Sequence, residues 1–279
     1  MQDIEKTISS IGDLPSQPVV LQKLHLLVNN KDTSSHKVAQ IIETDQGFTA
    51  RVLRLVNSPF FGFTRKIASV EEAITMIGFN SIHQLLLATS LMGTFQIDEA
   101  LLKIKEFWRH CFAVGVVAKH IIAPAYSNLK DECFASGVLH DVGRLILINA
   151  NARKYQECIE KTTGVIDLTS EKQIFGVNHQ ETGNLLAEHW RFPESIRAGI
   201  GYHHTPTQAP EFTEIASAVH LADIIAHGMN LGNSGSFFIS NFDKDACLLL
   251  QLNIDELESI LETALNEIEE TEQILGEFQ

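Results

Sequence analysis

The sequence predicts an all-α protein. Almost every periodic segment repeats its apolar residues at helical spacing, strand patterns are scarce, and capping residues or glycines separate the segments. The chain has 279 residues, of which 44% are hydrophobic and 20% are charged. This composition is typical of a globular protein with one large domain or two ordinary ones.

The charge balance disfavours some classes of partner. Lys and Arg total 21 against 35 Asp and Glu, which gives a formal net charge of −14. Nucleic acids and anionic membranes both require clustered basic residues, so we expect neither as a partner. The sequence shows no signal peptide and no apolar run long enough to span a membrane. The four cysteines form no CxxC pair, and together these features favour a cytoplasmic protein.

The first hundred residues predict a series of helices. We expect them at residues 1–10, 18–28, 35–42, 48–56, 69–77 and 82–92. Ser34 or Ser35 is the expected cap of the third helix, and Ser69 with Glu72 forms a capping box. Gly78 between two helices resembles a helix-turn-helix, but the second helix has no basic face, which favours a plain αα-hairpin. The aromatic loop at residues 60–63 is a candidate contact surface for a partner.

The second half predicts further helices, and these carry most of the histidines. We expect helices from Phe107 to Ile121, from Asp131 towards residue 148, and at residues 179–190, 215–227 and 254–275. In the apolar run 136–148, His140 and Asp141 are adjacent. Burying an imidazole or a carboxylate without a partner is costly, so this pair predicts the centre of a metal site.

The candidate metal ligands are histidines and aspartates spread over several helices. In chain order they are His110, His140, Asp141, His179, His203, His204 and Asp223. Imidazole and carboxylate ligands suit Fe, Mn, Zn or Co, so we expect a divalent ion of this kind. His220 and His227 are candidates to orient Asp223 from the same helix. Glu106, one turn before His110, is a weaker ligand candidate.

Several motifs of the first half resemble the HDOD domain, a bacterial output module related to the HD phosphohydrolases. The motifs are Leu14–Pro18, Ile41–Asp45, Arg51–Ser58, Ile67–Ile74 and Ile77-Gly78. The resemblance covers about residues 10–230 and implies an all-α fold with a role in signal transduction. We expect an N-terminal helical part at 1–97, an HD-type helical part at 98–230, and a C-terminal loop and amphipathic helix at 231–279 that packs on the domain.

The order of the candidate ligands is similar to that of HD-superfamily hydrolases. By this resemblance, His110, His140, Asp141 and Asp223 match a mononuclear set, and the other histidines match the positions that extend it to two metals. Asp141 would then be the catalytic bridging ligand for ions that activate water and clamp a phosphate.

Two departures from the active relatives bear on catalysis. Arg144 stands where those relatives usually have a lysine, and it could still hold a phosphate. Thr205-Pro206-Thr207 follows the His203-His204 pair, so the Gly-Tyr-Pro triplet of cyclic-di-GMP phosphodiesterases is missing. The sequence therefore does not support that substrate.

Two functions remain open at this point. The favoured one is a non-catalytic regulatory protein that keeps its metal site and binds a signalling protein or a small phosphorylated ligand. The alternative is a metal-dependent phosphohydrolase that acts on a phosphoester or nucleotide. The C-terminal amphipathic helix could also pair with a second copy to give a homodimer.

Overall fold

The computed structural model describes residues 4, 6–8, 23–24, 34–57, 65–79, 82, 86, 97–190, 192–236 and 238–275. These residues form helices and no β-strand, which confirms the all-α prediction. The α-helices are α1 Ser35–Ile42, α2 Gln46–Val56, α3 Val70–Ile77, α4 Ile104–Ile122, α5 Lys130–Leu139, α6 Val142–Ala150, α7 Ala152–Thr162, α8 Leu168–Phe175, α9 His179–His189, α10 Glu194–Tyr202, α11 Thr213–Gly228, α12 Lys244–Leu249 and α13 Ile254–Leu275.

Some predicted features lie outside the described residues. They are the aromatic loop Phe60–Phe63 and most of the helices expected at 1–10, 18–28 and 82–92. Among the helices that the structure describes, none has both the length and the apolar character required to cross a membrane.

The chain divides into two compact units. One contains Met1–Gly12 and Phe95–Ala264, and the other contains Asp13–Thr94 and Leu265–Gln279. The domain boundaries expected at residues 97 and 230 stay predictions beside this division.

In the second unit, side-chain caps define the helix ends. Ser34 is the N-cap of α1, where its hydroxyl accepts a hydrogen bond from Lys37 N at 3.3 Å. Ser69 caps α3 by accepting from Glu72 N at 3.2 Å. Both serines satisfy backbone donors that the first turn of a helix otherwise leaves unpaired, as the sequence predicts.

The side chain of Asn57 connects the end of α2 to the segment just before α3 by hydrogen bonds. Its amide nitrogen donates to Leu53 O at 2.6 Å and to Ile67 O at 2.8 Å, and its amide oxygen accepts from Ile67 N at 2.7 Å. These three hydrogen bonds hold the end of α2 against the residues just before α3. An asparagine suits this position because its side chain both donates and accepts.

The first unit is built around α4, which is buried along most of its length from Phe107 to Ile122. Helices α5 and α11 pack against α4, while α10 packs against α5 and α11. Helix α9 packs against both α6 and α10. A helix that is apolar on nearly every side has to be covered in this way.

Helices α6 and α9 approach each other closely at Gly143. A Cβ atom at this position would lie 1.9 Å from His179 O and 2.8 Å from Gly183 N. Because α6 begins just after Asp141 and α9 begins at His179, this close approach brings two candidate ligands together.

Replacing Gly143 with alanine is expected to destabilise the protein by about 2 to 3 kcal/mol, because the new methyl group overpacks the contact between α6 and α9. Gly228→Ala is the matched control, since a Cβ there meets nothing within 4 Å. Urea denaturation of both variants measures the difference. Equal stabilities would show that α6 and α9 are not in close contact.

Candidate metal centre

His140 and Asp141 lie at the junction of two helices. His140 is the C-cap residue of α5, and Asp141 is the N-cap residue of α6. The Nδ1–H of His140 donates to Gly137 O at 2.7 Å, so the lone pair of the neutral ring is on Nε2. This Nε2 lies 3.5 Å from Asp141 Oδ2 and 3.7 Å from Asp223 Oδ1. A lone pair facing two carboxylates requires a cation between them, either a proton or a metal ion.

The pKa of His140 reflects this demand for positive charge. Burial alone lowers the pKa, but the carboxylates of Asp141 and Asp223 outweigh burial and raise it above its ordinary value. Among the residues that the structure describes, His140 Nε2 and Asp141 Oδ1 are buried without a hydrogen-bond partner. Such atoms in a donor-rich cluster fit a metal ion well.

Asp141 lies at the centre of the cluster. Its Oδ1 atom lies 3.0 Å from Arg144 Nε, 3.3 Å from His179 Nε2 and 3.8 Å from His203 Nε2. Burial raises the pKa of Asp141, but Arg144 and the surrounding imidazoles more than offset this and hold it well below the usual range. The carboxylate therefore stays anionic and available as a ligand.

Three histidines near Asp141 already use one ring nitrogen in a hydrogen bond. His179 Nδ1 is hydrogen-bonded to Glu171 Oε2 at 2.7 Å, and His203 Nδ1 to Ile200 O at 3.0 Å. His204 Nδ1 is hydrogen-bonded to Ser240 Oγ. These bonds orient the rings, and each leaves Nε2 for another partner. Metal-ligating histidines in proteins are oriented by such contacts.

The Nε2 atoms of these histidines converge on one point. The distance from His179 Nε2 is 3.3 Å to His203 Nε2 and 3.0 Å to His204 Nε2. Burial, followed by the neighbouring imidazoles, lowers the pKa of both His203 and His204 well below the ordinary value. Neutral rings at these distances place lone pairs against one another, and a bound cation would remove that repulsion. With Asp141 they form a group whose donor atoms all lie within 4.8 Å of one another.

A second side of the cluster surrounds Asp223 on α11. His110 Nε2 lies 3.1 Å from Asp223 Oδ1, and His227 Nε2 lies 3.4 Å from the same oxygen. Burial raises the pKa of Asp223, but the hydrogen bonds and charges of His110 and His140 lower it well below its usual range. The donor atoms of His110, Asp223 and His227 lie within 4.8 Å of one another, as do those of His110, His140 and Asp141.

Arg144 and Glu171 form a buried ion pair that contacts Asp141 and His179 of the cluster. Arg144 is 2% exposed, and its Nη1 atom lies 3.3 Å from Glu171 Oε1. Glu171 is fully buried, and its Oε2 atom also accepts from His179 N at 2.7 Å. The guanidinium thus lies between Glu171 and Asp141. Its predicted role in holding a phosphate stays a prediction, and the contacts give it a second role in positioning Asp141.

The segment between α11 and α12 lies against the cluster. Gly232 approaches α4 so closely that a Cβ atom there would lie 2.4 Å from His110 N. Ser234 Oγ lies 3.4 Å from His227 Nε2, and Ser240 bonds to His204. Asp243 N donates to His220 Nε2 at 3.1 Å. The described residues of this segment therefore cover the donor atoms.

All seven predicted ligands meet in this cluster, and two further residues join them. The seven are His110, His140, Asp141, His179, His203, His204 and Asp223. The additions are Glu171, which the sequence pattern did not indicate, and His227, which it indicated only as a support for Asp223. Helical spacing was the available signal for His227, four residues after Asp223.

Two weaker candidates lie elsewhere. The side chain of Glu106 is 39% exposed and lies 3.8 Å from Arg109. His220 donates from Nδ1 to His203 O at 2.7 Å and accepts from Asp243 N, so both of its nitrogens are occupied. His220 therefore joins the end of α10 to the start of α12 and does not orient Asp223.

A family model described as the HDOD domain matches residues 14–206 of the chain. An uncharacterised protein from Treponema pallidum is 25% identical over 225 residues, which is 77% of this chain and 42% of that protein. The chain thus spans less than half of this relative.

Solved structures with the same fold cover almost the whole chain. A candidate phosphohydrolase from Shewanella amazonensis has a TM-score of 0.71 at 23% identity, covering 96% of this chain and 97% of that one. An HDOD domain protein of unknown function from Geobacter sulfurreducens has a TM-score of 0.63 at 24% identity, covering 99% of this chain and 96% of that one. A candidate signal transduction protein from Marinobacter aquaeolei has a TM-score of 0.74 at 14% identity, covering 99% and 65%. At these identities the likeness shows the fold alone.

Proposed function

Because the chain belongs to the HDOD domain family, we propose that it is a regulatory module of bacterial signal transduction whose buried cluster holds divalent metal ions. The observation that carries the metal-binding part is the convergence of His179, His203 and His204 on Asp141. Their Nε2 atoms face one another at 3.0 to 3.3 Å while the opposite nitrogens are occupied by hydrogen bonds.

The donor set supports a transition metal. The cluster offers imidazole nitrogens and carboxylate oxygens without a thiolate, a combination that suits Fe, Mn, Zn or Co. Asp141 belongs to two of the donor groups, so its carboxylate would be available to an ion in either group. We propose one or two ions per chain.

Burial of the cluster favours regulation over turnover. Asp141 and Asp223 are each 2% exposed, and the described residues between α11 and α12 lie against the donors. A phosphoester substrate would have to reach the buried ions, and Arg144 is the side chain that the sequence predicts to hold its phosphate. The guanidinium of Arg144 is already between two carboxylates. We therefore propose that the metal stabilises a conformation recognised by a signalling protein, by a small phosphorylated ligand or by a second copy of the chain.

Phosphoester hydrolysis is the second candidate, and the sharing of Asp141 between donor groups favours it. A pair of ions would supply a metal-activated water and charge stabilisation for a phosphate. In that case Asp141 would hold the ions, and Arg144 would fix the carboxylate of Asp141 in place.

An assay of the metal-loaded full chain distinguishes the two functions. The protein, supplied with Mn²⁺ or Fe²⁺, is mixed with a generic phosphomonoester and a generic phosphodiester. We expect retained metal and no hydrolysis above that of the free ion. Hydrolysis that is lost in His179→Ala but kept in His189→Ala, an exposed histidine on the same helix, would overturn the regulatory proposal in favour of the enzyme.

A further inference from the structure

His227 lies near the end of α11, four residues after Asp223. Residues at this spacing share a helix face, so the imidazole lies beside the Asp223 carboxylate, with 3.4 Å between His227 Nε2 and Asp223 Oδ1. The ring centroids of His227 and His110 are 4.5 Å apart. The side chain is 12% exposed, so His227 lies at the more accessible edge of the cluster.

Three imidazoles surround a single oxygen of Asp223. The distance from Asp223 Oδ1 to the ring Nε2 atom is 3.1 Å for His110, 3.4 Å for His227 and 3.7 Å for His140. A carboxylate oxygen has about two lone pairs, so it cannot accept hydrogen bonds from all three rings. His140 also uses Nδ1 as a donor already. A cation that takes a lone pair from each ring accounts for all three contacts at once.

From this crowding we infer that His227 is itself a metal ligand, in one donor group with His110 and Asp223. The inference rests on the proposed metal-binding function and adds to it a ligand that the family's pattern did not supply. The other position, at Asp141, His179, His203 and His204, keeps four donors.

Ser234 offers His227 a different partner. Its hydroxyl lies 3.4 Å from His227 Nε2, so the ring could be held there only to anchor the segment after α11. Removing the serine hydroxyl tests this anchoring role separately, because a ligand role does not require that hydrogen bond.

An additional nitrogen donor has a consequence for metal selectivity. Imidazole suits Co, Zn and Fe, whereas Mg²⁺ and Ca²⁺ prefer oxygen ligands. The position at Asp223 is therefore expected to discriminate more strongly against Mg²⁺ with His227 present than in His227→Ala.

The test is a Co²⁺ titration of the metal-free full chain by calorimetry and visible absorption. In His227→Ala we expect the affinity for one ion to fall by about 100-fold or more, since even residues that only orient a ligand change affinity by about 10- to 100-fold. His227→Gln, which keeps a hydrogen-bonding group, is expected to behave like His227→Ala. His227→Glu restores a ligand of similar reach and is expected to regain most of the affinity.

Ser234→Ala and His189→Ala are the controls, and both are expected to bind Co²⁺ like the wild type. The inference is overturned if His227→Ala also binds like the wild type, or if Ser234→Ala reproduces the loss. A wild-type chain that binds no Co²⁺ would instead overturn the proposed metal-binding function. Circular dichroism establishes that each variant is folded.

Discussion

Replacing Asp141 with alanine is expected to abolish stoichiometric metal binding. This carboxylate belongs to two of the donor groups, and its atoms contact His140, His179 and Arg144 at 3.0 to 3.5 Å. Its loss leaves the opposed imidazole lone pairs of His179, His203 and His204 without the carboxylate of their donor group. Equilibrium dialysis with Co²⁺ or Mn²⁺, followed by elemental analysis, measures the change. Asp141→Asn, which keeps the shape but not the charge, is expected to lose at least about 100-fold in affinity.

Asp141→Ala is also expected to lower the free energy of unfolding by about 3 to 5 kcal/mol, because it leaves the buried Arg144 charge with one carboxylate fewer. Asp245→Ala, at an exposed aspartate in the first turn of α12, is the control and should change neither property. If Asp141→Ala bound metal like the wild type, the cluster would not be centred on Asp141.

Glu171→Ala is expected to have the second large effect, a loss of about 3 to 5 kcal/mol of stability. Glu171 is fully buried and accepts from both the backbone and the ring of His179, each at 2.7 Å. It is also 3.3 Å from Arg144 Nη1. Its removal leaves a buried guanidinium and an imidazole N–H without this acceptor. Chemical denaturation with and without Co²⁺ measures the cost.

A matched variant separates this effect from the general loss of a glutamate. Glu157→Ala removes an exposed partner of Lys161, and little change is expected because exposed ion pairs contribute little. Glu171→Ala is also expected to weaken metal binding by about 10- to 100-fold, through the lost orientation of His179. Equal stability of the two variants would mean that the buried contacts of Glu171 do not hold Arg144 and His179.

The sequence was sufficient to predict the helical fold and to single out the seven histidines and aspartates that meet in the cluster. Apolar periodicity predicted α13 at Ile254–Leu275, and Ser34 marked the start of α1. These candidate ligands stood out because a histidine and an aspartate inside an apolar run are costly to bury without a partner, and because the order of the candidates resembled that of a known family.

Other features depend on packing that the sequence does not display. Glu171 reaches His179 because α8 ends just before the start of α9, and no spacing rule connects the two residues. The ion pair between Arg144 and Glu171 depends on the same packing. Helix α7 was not predicted, since it buries only Tyr155 and Cys158 and is otherwise mostly polar.

The most direct test of the metal site is elemental analysis of the wild-type full chain. The protein would be produced with Fe, Mn, Zn and Co supplied and dialysed against metal-free buffer. We expect one to two equivalents of a divalent transition metal per chain, and none in Asp141→Ala. Wild-type protein that is folded but retains no stoichiometric metal, and takes up none on titration, would contradict the proposed metal site.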